Sequence, residues 1–527
     1  MRTNFILSVS ALAVLSTAHA QERKFPNSYP TKPYETSLIE EKIKRLTETD
    51  DFIWDAFEIE SKGLTKAKTR NQPWSGYFWA INQGGIANQY RKSSFISVLD
   101  PNKKNWKKNV QEYKEFREKV HPKIYTLDED DLADLSPAEK YDLLLGDTSF
   151  DLTNRIWDYT EKWGQNNKYS FVTDIEVPQN YVFKPLTDPK IAPWEGFCHG
   201  WAVAAGIAPR PLKTVEVLLP NGKKLKFYPT DIKALLTLMW ANSSVQSSVI
   251  FEGTRCNSQK PIKDEHGRYV EPECADVHPG VFHSAIVNIV GVQGRSMIVD
   301  KSAGFSIANQ PVAGYEFVYY NPDTTKTGSL MASMVSAKEY AASKKDRFAA
   351  SRNKDATHIV GVSMKLRYID WENPKKGKTN DDDDDGFGEM KFNYDLELNK
   401  HGEIVGGQWR VERDGDDGGM FGNSTGQPDF FWVAPKNWKT HFTGLQLPEW
   451  NFNRSQTPPR EYALAARGAH SFVFEESEKY QGVSPKCPLT PAADPKGKQL
   501  WVDCTFRTPQ PQPLIQVVNK LLELSRR

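Results

Sequence analysis

Hydrophobic and polar positions change their rhythm several times along the chain. Residues 36–50 are charged with helical spacing. Ser136-Pro137-Ala138-Glu139 opens a second helix by two signals, a Pro at the first helical position and a Ser cap with Glu three residues on. A mainly helical half leads from there to Cys198. Residues 215–227 alternate about Asn221-Gly222, the composition of a tight hairpin, and residues 230–240 read as a further helix. After His283 the runs become short and β-branched. Residues 285–290 and 296–299, separated by 291–295, predict a pair of antiparallel strands. From 357 onward strand-like runs dominate, at 358–366, 390–396, 404–411 and 429–433, and Pro509 to Pro513 links to an amphipathic helix over 514–525.

These elements predict an α+β chain in five parts: residues 1–20 as a leader, 21–125 as an N-terminal region that serves as a pro-segment or a cover, 126–356 as a catalytic core, 357–507 as a β-rich region, and 508–527 as linker and terminal helix. The leader carries Arg2, an apolar run from Phe5 to Leu15 and the small-residue end Ala18-His19-Ala20. Cleavage after Ala20 is expected, giving a secreted or periplasmic protein. No later stretch is apolar for long enough to span a membrane. Losing Arg2 takes Lys+Arg from 68 to 67 against 67 Asp+Glu, so no general attraction to nucleic acid or anionic lipid is implied.

Five cysteines remain to be placed. In an oxidising compartment Cys256 pairs with Cys274 and Cys487 with Cys504, each closing a short loop. Cys198 is left over. It lies in Trp194-Glu195-Gly196-Phe197-Cys198-His199-Gly200-Trp201, where a turn enters a small-residue helical segment. A helix N-terminus favours thiolate over thiol and can hold a tetrahedral oxyanion, so Cys198 is the candidate nucleophile.

A thiolate needs a base, and the base an orienting carboxylate. His199 adjoins Cys198 but points about 100° away on a helix. His283 starts the first strand of the predicted hairpin and Asp300 ends the second. A turn centred on Gly291-Val292 puts the two opposite each other, and one centred on Gln293-Gly294 leaves them on one face but off register. His266 and His278 are expected to be exposed. No repeated ligand spacing indicates zinc, and no Gly-x-Ser-x-Gly elbow indicates a serine triad. The run Asp381 to Asp385 reads as a solvated loop, with Asp381, Asp383 and Asp385 as weak calcium candidates.

The Cys, His, Asp order resembles the transglutaminase and papain-like superfamily. Asn309-Gln310-Pro311-Val312-Ala313-Gly314-Tyr315 is similar to the Asn-Gln-Pro-Val-x-Gly-Phe segment of the transglutaminase elicitor family, as are the 136–142, 196–202 and 231–236 blocks, Gly406-Gly407-Gln408-Trp409 and Gln427-Pro428-Asp429-Phe430. Ala308 and Ala313 stand where the recognised epitope has Trp and Arg. The resemblance implies a papain-like core, a Cys-bearing helix packed on a sheet bearing His and Asp, and protein-glutamine γ-glutamyltransferase activity on protein substrates bearing Gln and Lys. It implies no required cofactor, with calcium assistance in some members. Papain-type enzymes carry a Gln before the cysteine as oxyanion donor; Ala192 is in that neighbourhood here, which leaves Trp194 as a stand-in and Trp201 as a second aromatic wall. The same triad with water as acceptor gives a cysteine peptidase or amidase, and a chain working only through its β-rich region would be an exported binding protein.

Overall fold

The computed structural model describes residues 35–88, 106–144, 150–166, 191–219, 222–241, 249–256, 262–269, 277–301, 306–410, 426–436 and 513–527, with Tyr90, Glu271, Cys274 and the paired strands Lys486–Pro488 and Trp501–Asp503. The leader expected over 1–20 and Cys504 lie outside the described residues.

Alternating apolar residues build one large antiparallel sheet. Its main path takes β1 (Ile250–Gly253), β2 (Ile298–Asp300), β3 (Asn309–Tyr320), β4 (His358–Ile369), β5 (Phe387–Leu398), β6 (Ile404–Trp409) and β7 (Phe430–Val433) in the spatial order β6-β5-β4-β3-β2-β7-β1. Three short strands, including Lys66–Lys68 against β3, bring the sheet to ten. The boundary expected at 357 therefore falls inside a single sheet: β4 pairs with β3 along nearly its whole length, so the strands read as a separate β-rich region complete the sheet begun earlier in the chain.

Helices α1 (Thr36–Thr47), α2 (Cys198–Ile207), α3 (Pro229–Ala241), α4 (Pro279–Ile286) and α5 (Pro513–Arg526) pack about it. The helix at Pro137–Leu144 has the capping box its sequence announces: Glu139 N–H donates to Ser136 Oγ at 3.2 Å, and Ser136 N–H donates to the Glu139 carboxylate at 2.9 Å. The hairpin about Gly222 forms between Val215–Leu218 and Lys224–Phe227, with Gly222 at φ +81°.

The predicted strand over 285–290 is instead helix. His278 caps α4, its Nδ1 accepting from Gly280 N–H at 3.1 Å, Pro279 takes the first helical position, and the coil continues as a wide π turn to Val292. An unbroken apolar run carries no period. Here Val281 to Val290 is buried all round, between α1 and the sheet, and that packing overrides the β preference of Ile and Val.

Two cores result, one on each face of the sheet. Ile298, Phe430 and Trp432 join Trp74, Phe197, Trp201, α3 and α5 in the first. Their neighbours Val299, Phe431 and Val433 join α1, α4, Phe317 and Tyr394 in the second. Strand alternation thus sorts the two halves of the chain onto opposite sides.

Candidate active site

Cys198 opens α2, and Phe197 supplies the cap through its carbonyl, which accepts from Gly200 and Trp201 N–H groups at 3.0 and 3.1 Å. No side chain caps the first turn, and the backbone N–H of His199 bonds to the sulfur. The glycines flanking this block answer to contact. A Cβ on Gly196 would stand 2.3 Å from the Phe78 carbonyl oxygen, and one on Gly200 would stand 2.2 Å from that of Thr237. Residues 73–88 run alongside: Phe197 N–H donates to Phe78 O at 2.6 Å and Ile81 N–H to Glu195 O at 2.9 Å.

The sulfur is free and half-buried. Asn309 Nδ2–H donates to it at 3.4 Å, and Trp432 Nε1–H donates to Asn309 Oδ1 at 2.9 Å. Burial pushes the Cys198 thiol up; the Asn309 and His199 hydrogen bonds pull it down, and the Asp300 carboxylate pushes it up again. Asp300 is the register partner of Asn309 across β2 and β3, which puts the two side chains on one face. Asp300 is fully buried and accepts from Ala308 N–H at 2.8 Å.

His283 stands elsewhere. Its ring is in the second core, 4.7 Å from Phe317, with Nδ1 2.7 Å from the Tyr394 hydroxyl. Burial lowers it to about 3, and Nε2 meets no partner among the described residues. Strands β2 and β3 separate it from Cys198, because Val299 and Phe317 face α4 whereas Ile298 and Asn309 face α2. Cys198 and Asp300 thus share a face without His283. The predicted hairpin register that would have united all three does not exist once 285–290 is helical.

Other expectations also move. Trp201, expected as an aromatic wall, is buried and spends its indole N–H on Trp74 O at 3.3 Å. Trp194 is half-buried beneath the Arg255 guanidinium, 5.5 Å from its ring. His278 is buried rather than exposed, as the cap of α4, and His266 is partly buried. His199 is buried and lowered to about 4, consistent with its direction away from the sulfur. Cys256 and Cys274 are joined, and Cys256 N–H donates to Asp429 Oδ2 at 2.8 Å. Cys487 lies opposite Val502, and its expected partner Cys504 is outside the described residues.

The acidic run is a clamp. Asp385 pairs with Arg210 and accepts from Ser75 N–H at 2.7 Å, while Asp381 and Asp384 cap each other's turn. Asp383 is exposed. Among the described residues no group of three or more His, Cys, Asp or Glu side chains is arranged to hold a metal ion, and no helix is long and apolar enough to cross a membrane.

Asn309 and Trp432 were not read as site residues. Each belongs to a β-run whose faces cannot be ordered without the pairing; the one local signal is the polar pair Asn309-Gln310 at the start of a mainly apolar strand.

The family model that matches this chain is that of the transglutaminase elicitor, over 187–443, which spans Cys198, Asp300, Asn309 and Trp432. The match covers a little under half of the chain and shows similarity to that family over those residues. A solved structure, that of the GP42 transglutaminase from Phytophthora sojae, aligns with the chain at 20% identity and a TM-score of 0.47, over 75% of this chain and 90% of that one. No curated protein sequence matches.

Proposed function

We propose that Cys198 is the nucleophile of an exported acyltransferase that takes the γ-acyl group of a protein-bound Gln and passes it to a lysine or other primary amine. The observation that carries this reading is a free thiol at the uncapped N-terminus of α2, inside the family-matched segment, with an N–H donor on its sulfur and a carboxylate on its face of the sheet.

Burial holds the resting sulfur as a thiol, so its proton leaves as the carbon–sulfur bond forms. Sγ attacks the γ-carbonyl carbon and the π pair moves onto oxygen. Collapse of the oxyanion breaks the carbon–nitrogen bond, and ammonia departs with the proton lost by the thiol. The amine then attacks the thioester, the carbon–sulfur bond breaks, and an amine proton returns to sulfur. We assign that proton traffic to Asp300. A proton passed from Cys198 to Asp300 leaves the charge of the pair unchanged, so the repulsion that disfavours the thiolate beside a carboxylate is avoided.

Incubating the protein with casein and a fluorescent alkylamine tests this. Cys198→Ala abolishes amine incorporation while keeping the wild-type melting curve; a variant that labels casein at the wild-type rate sinks the reading. Peptide cleavage or deamidation without amine adduct would assign water as the acceptor instead.

A further inference from the structure

We propose that Asn309 is the side-chain oxyanion donor of the Cys198 reaction, and that Trp432 holds its carboxamide the right way round. The inference rests on the reading of Cys198 as acyl nucleophile and adds to it the side-chain donor that Ala192, in the neighbourhood of the papain-type Gln, does not supply.

Orientation is the core of the case. An amide has an acceptor end and a donor end, and either could in principle face the sulfur. An indole N–H can only donate. With Trp432 Nε1 at 2.9 Å, the near end of Asn309 must be its oxygen, which turns Nδ2–H₂ towards Cys198 Sγ at 3.4 Å. Both ends are anchored on the two strands that flank β2 in one sheet, since Trp432 pairs with Ile298 of β2 and Asn309 with Asp300 of the same strand. Asn309 is buried, so water does not compete for its N–H groups.

As Sγ bonds to the carbonyl carbon, the oxygen that gains the electron pair develops its charge one bond beyond the sulfur's partner atom. A donor already directed at the sulfur reaches that oxygen with a small side-chain adjustment, alongside the backbone N–H of His199, which also bonds to the sulfur. The same Asn309 N–H opposes the upward push of burial on the thiol, which gives it a second measurable signature in the pH at which the sulfur ionises.

The test compares wild type, Asn309→Ala, Asn309→Asp, Trp432→Phe and Cys198→Ala, by casein labelling with a fluorescent alkylamine and by the pH profile of iodoacetamide alkylation of Cys198. Asn309→Ala lowers kcat by roughly 10²–10³ with KM little changed, and moves the alkylation profile to higher pH. Asn309→Asp keeps the size, replaces donor by acceptor, and loses at least as much. Trp432→Phe removes only the constraint on orientation, so it loses roughly tenfold in kcat and shifts the profile in the same direction. If Asn309→Ala does not fold, Trp432→Phe decides on the same two readouts. An Asn309→Ala kcat within threefold of wild type, or an unmoved alkylation profile in both variants, overturns the assignment while an inert Cys198→Ala leaves the nucleophile standing. An active Cys198→Ala removes both.

Discussion

On the α2 side of strands β2 and β3, Asn309 meets a half-buried sulfur and a donor-only indole, with Asp300 beside it in register; on the α4 side, His283 stands against Phe317 and Tyr394 and is held neutral by burial. The two surfaces are one strand thickness apart and differ in what they do with polar groups. The first leaves several polar groups converging on one reactive atom. The second gives a buried imidazole one phenol at Nδ1, leaves Nε2 without a partner among the described residues, and surrounds the ring with aromatic side chains. A His at the right distance in sequence from a Cys is therefore no evidence of partnership until the face on which each side chain stands is known.

The largest expected effect on that contrast comes from Asp300→Asn. The amide still accepts from Ala308 N–H, so the fold survives, but it cannot take a proton; kcat falls by roughly 10²–10⁴ with an unchanged melting temperature. A variant within threefold of wild type would show that the α2 face has no need of the carboxylate. On the other face, His283→Gln strands the Tyr394 hydroxyl or forces it to a new partner and costs about 1–3 kcal/mol in urea unfolding, with kcat per folded molecule held within threefold. A hundredfold loss of kcat in a stable His283→Gln protein would restore the imidazole to the chemistry and erase the distinction between the faces.

Acid gives the most graded effect. His283 and His278 are held to about 3 and His199 to about 4 by burial, against about 6.5 for an unfolded chain. Between those values the unfolded state binds more protons, so stability is fully present above about pH 6.5 and declines as pH falls towards 3. Urea midpoints at pH 7, 5 and 4 should fall in that order, and less steeply in His283→Gln. Equal slopes in the two proteins would mean that His283 is not held neutral in the fold.

Much of the architecture was legible locally. Ser136-Pro137-Ala138-Glu139 gives its own cap, the 215–227 hairpin its own turn, and the long strands their alternation, because each signal acts over a few residues. The cysteine block was legible for the same reason, its glycines and helix start being adjacent in sequence. The Cys256–Cys274 pairing held, but the inferences that needed the face of a strand or the packing around a segment failed. Residues 285–290 look like a strand from Ala285, Ile286 and Val287 alone, and become helix because the His278 cap and the enclosure by α1 and the sheet decide the matter. The same misreading carried His283 to the wrong surface. It also hid Asn309, whose role depends on a Trp more than a hundred residues later. The acidic run 381–385 looked solvated because nothing nearby in sequence reveals Arg210 and Ser75.

The thread formed by residues 73–88 has a bearing on how such a protein could be matured. Its backbone bonds to both sides of the turn that carries the nucleophile, through Phe78 with Phe197 and Ile81 with Glu195, and Asp385 fastens its leading end. A protease that discarded this stretch would take the floor from beneath the thiol and leave the active centre without its shape. Any trimming that switches such a chain on must therefore stop short of Pro73.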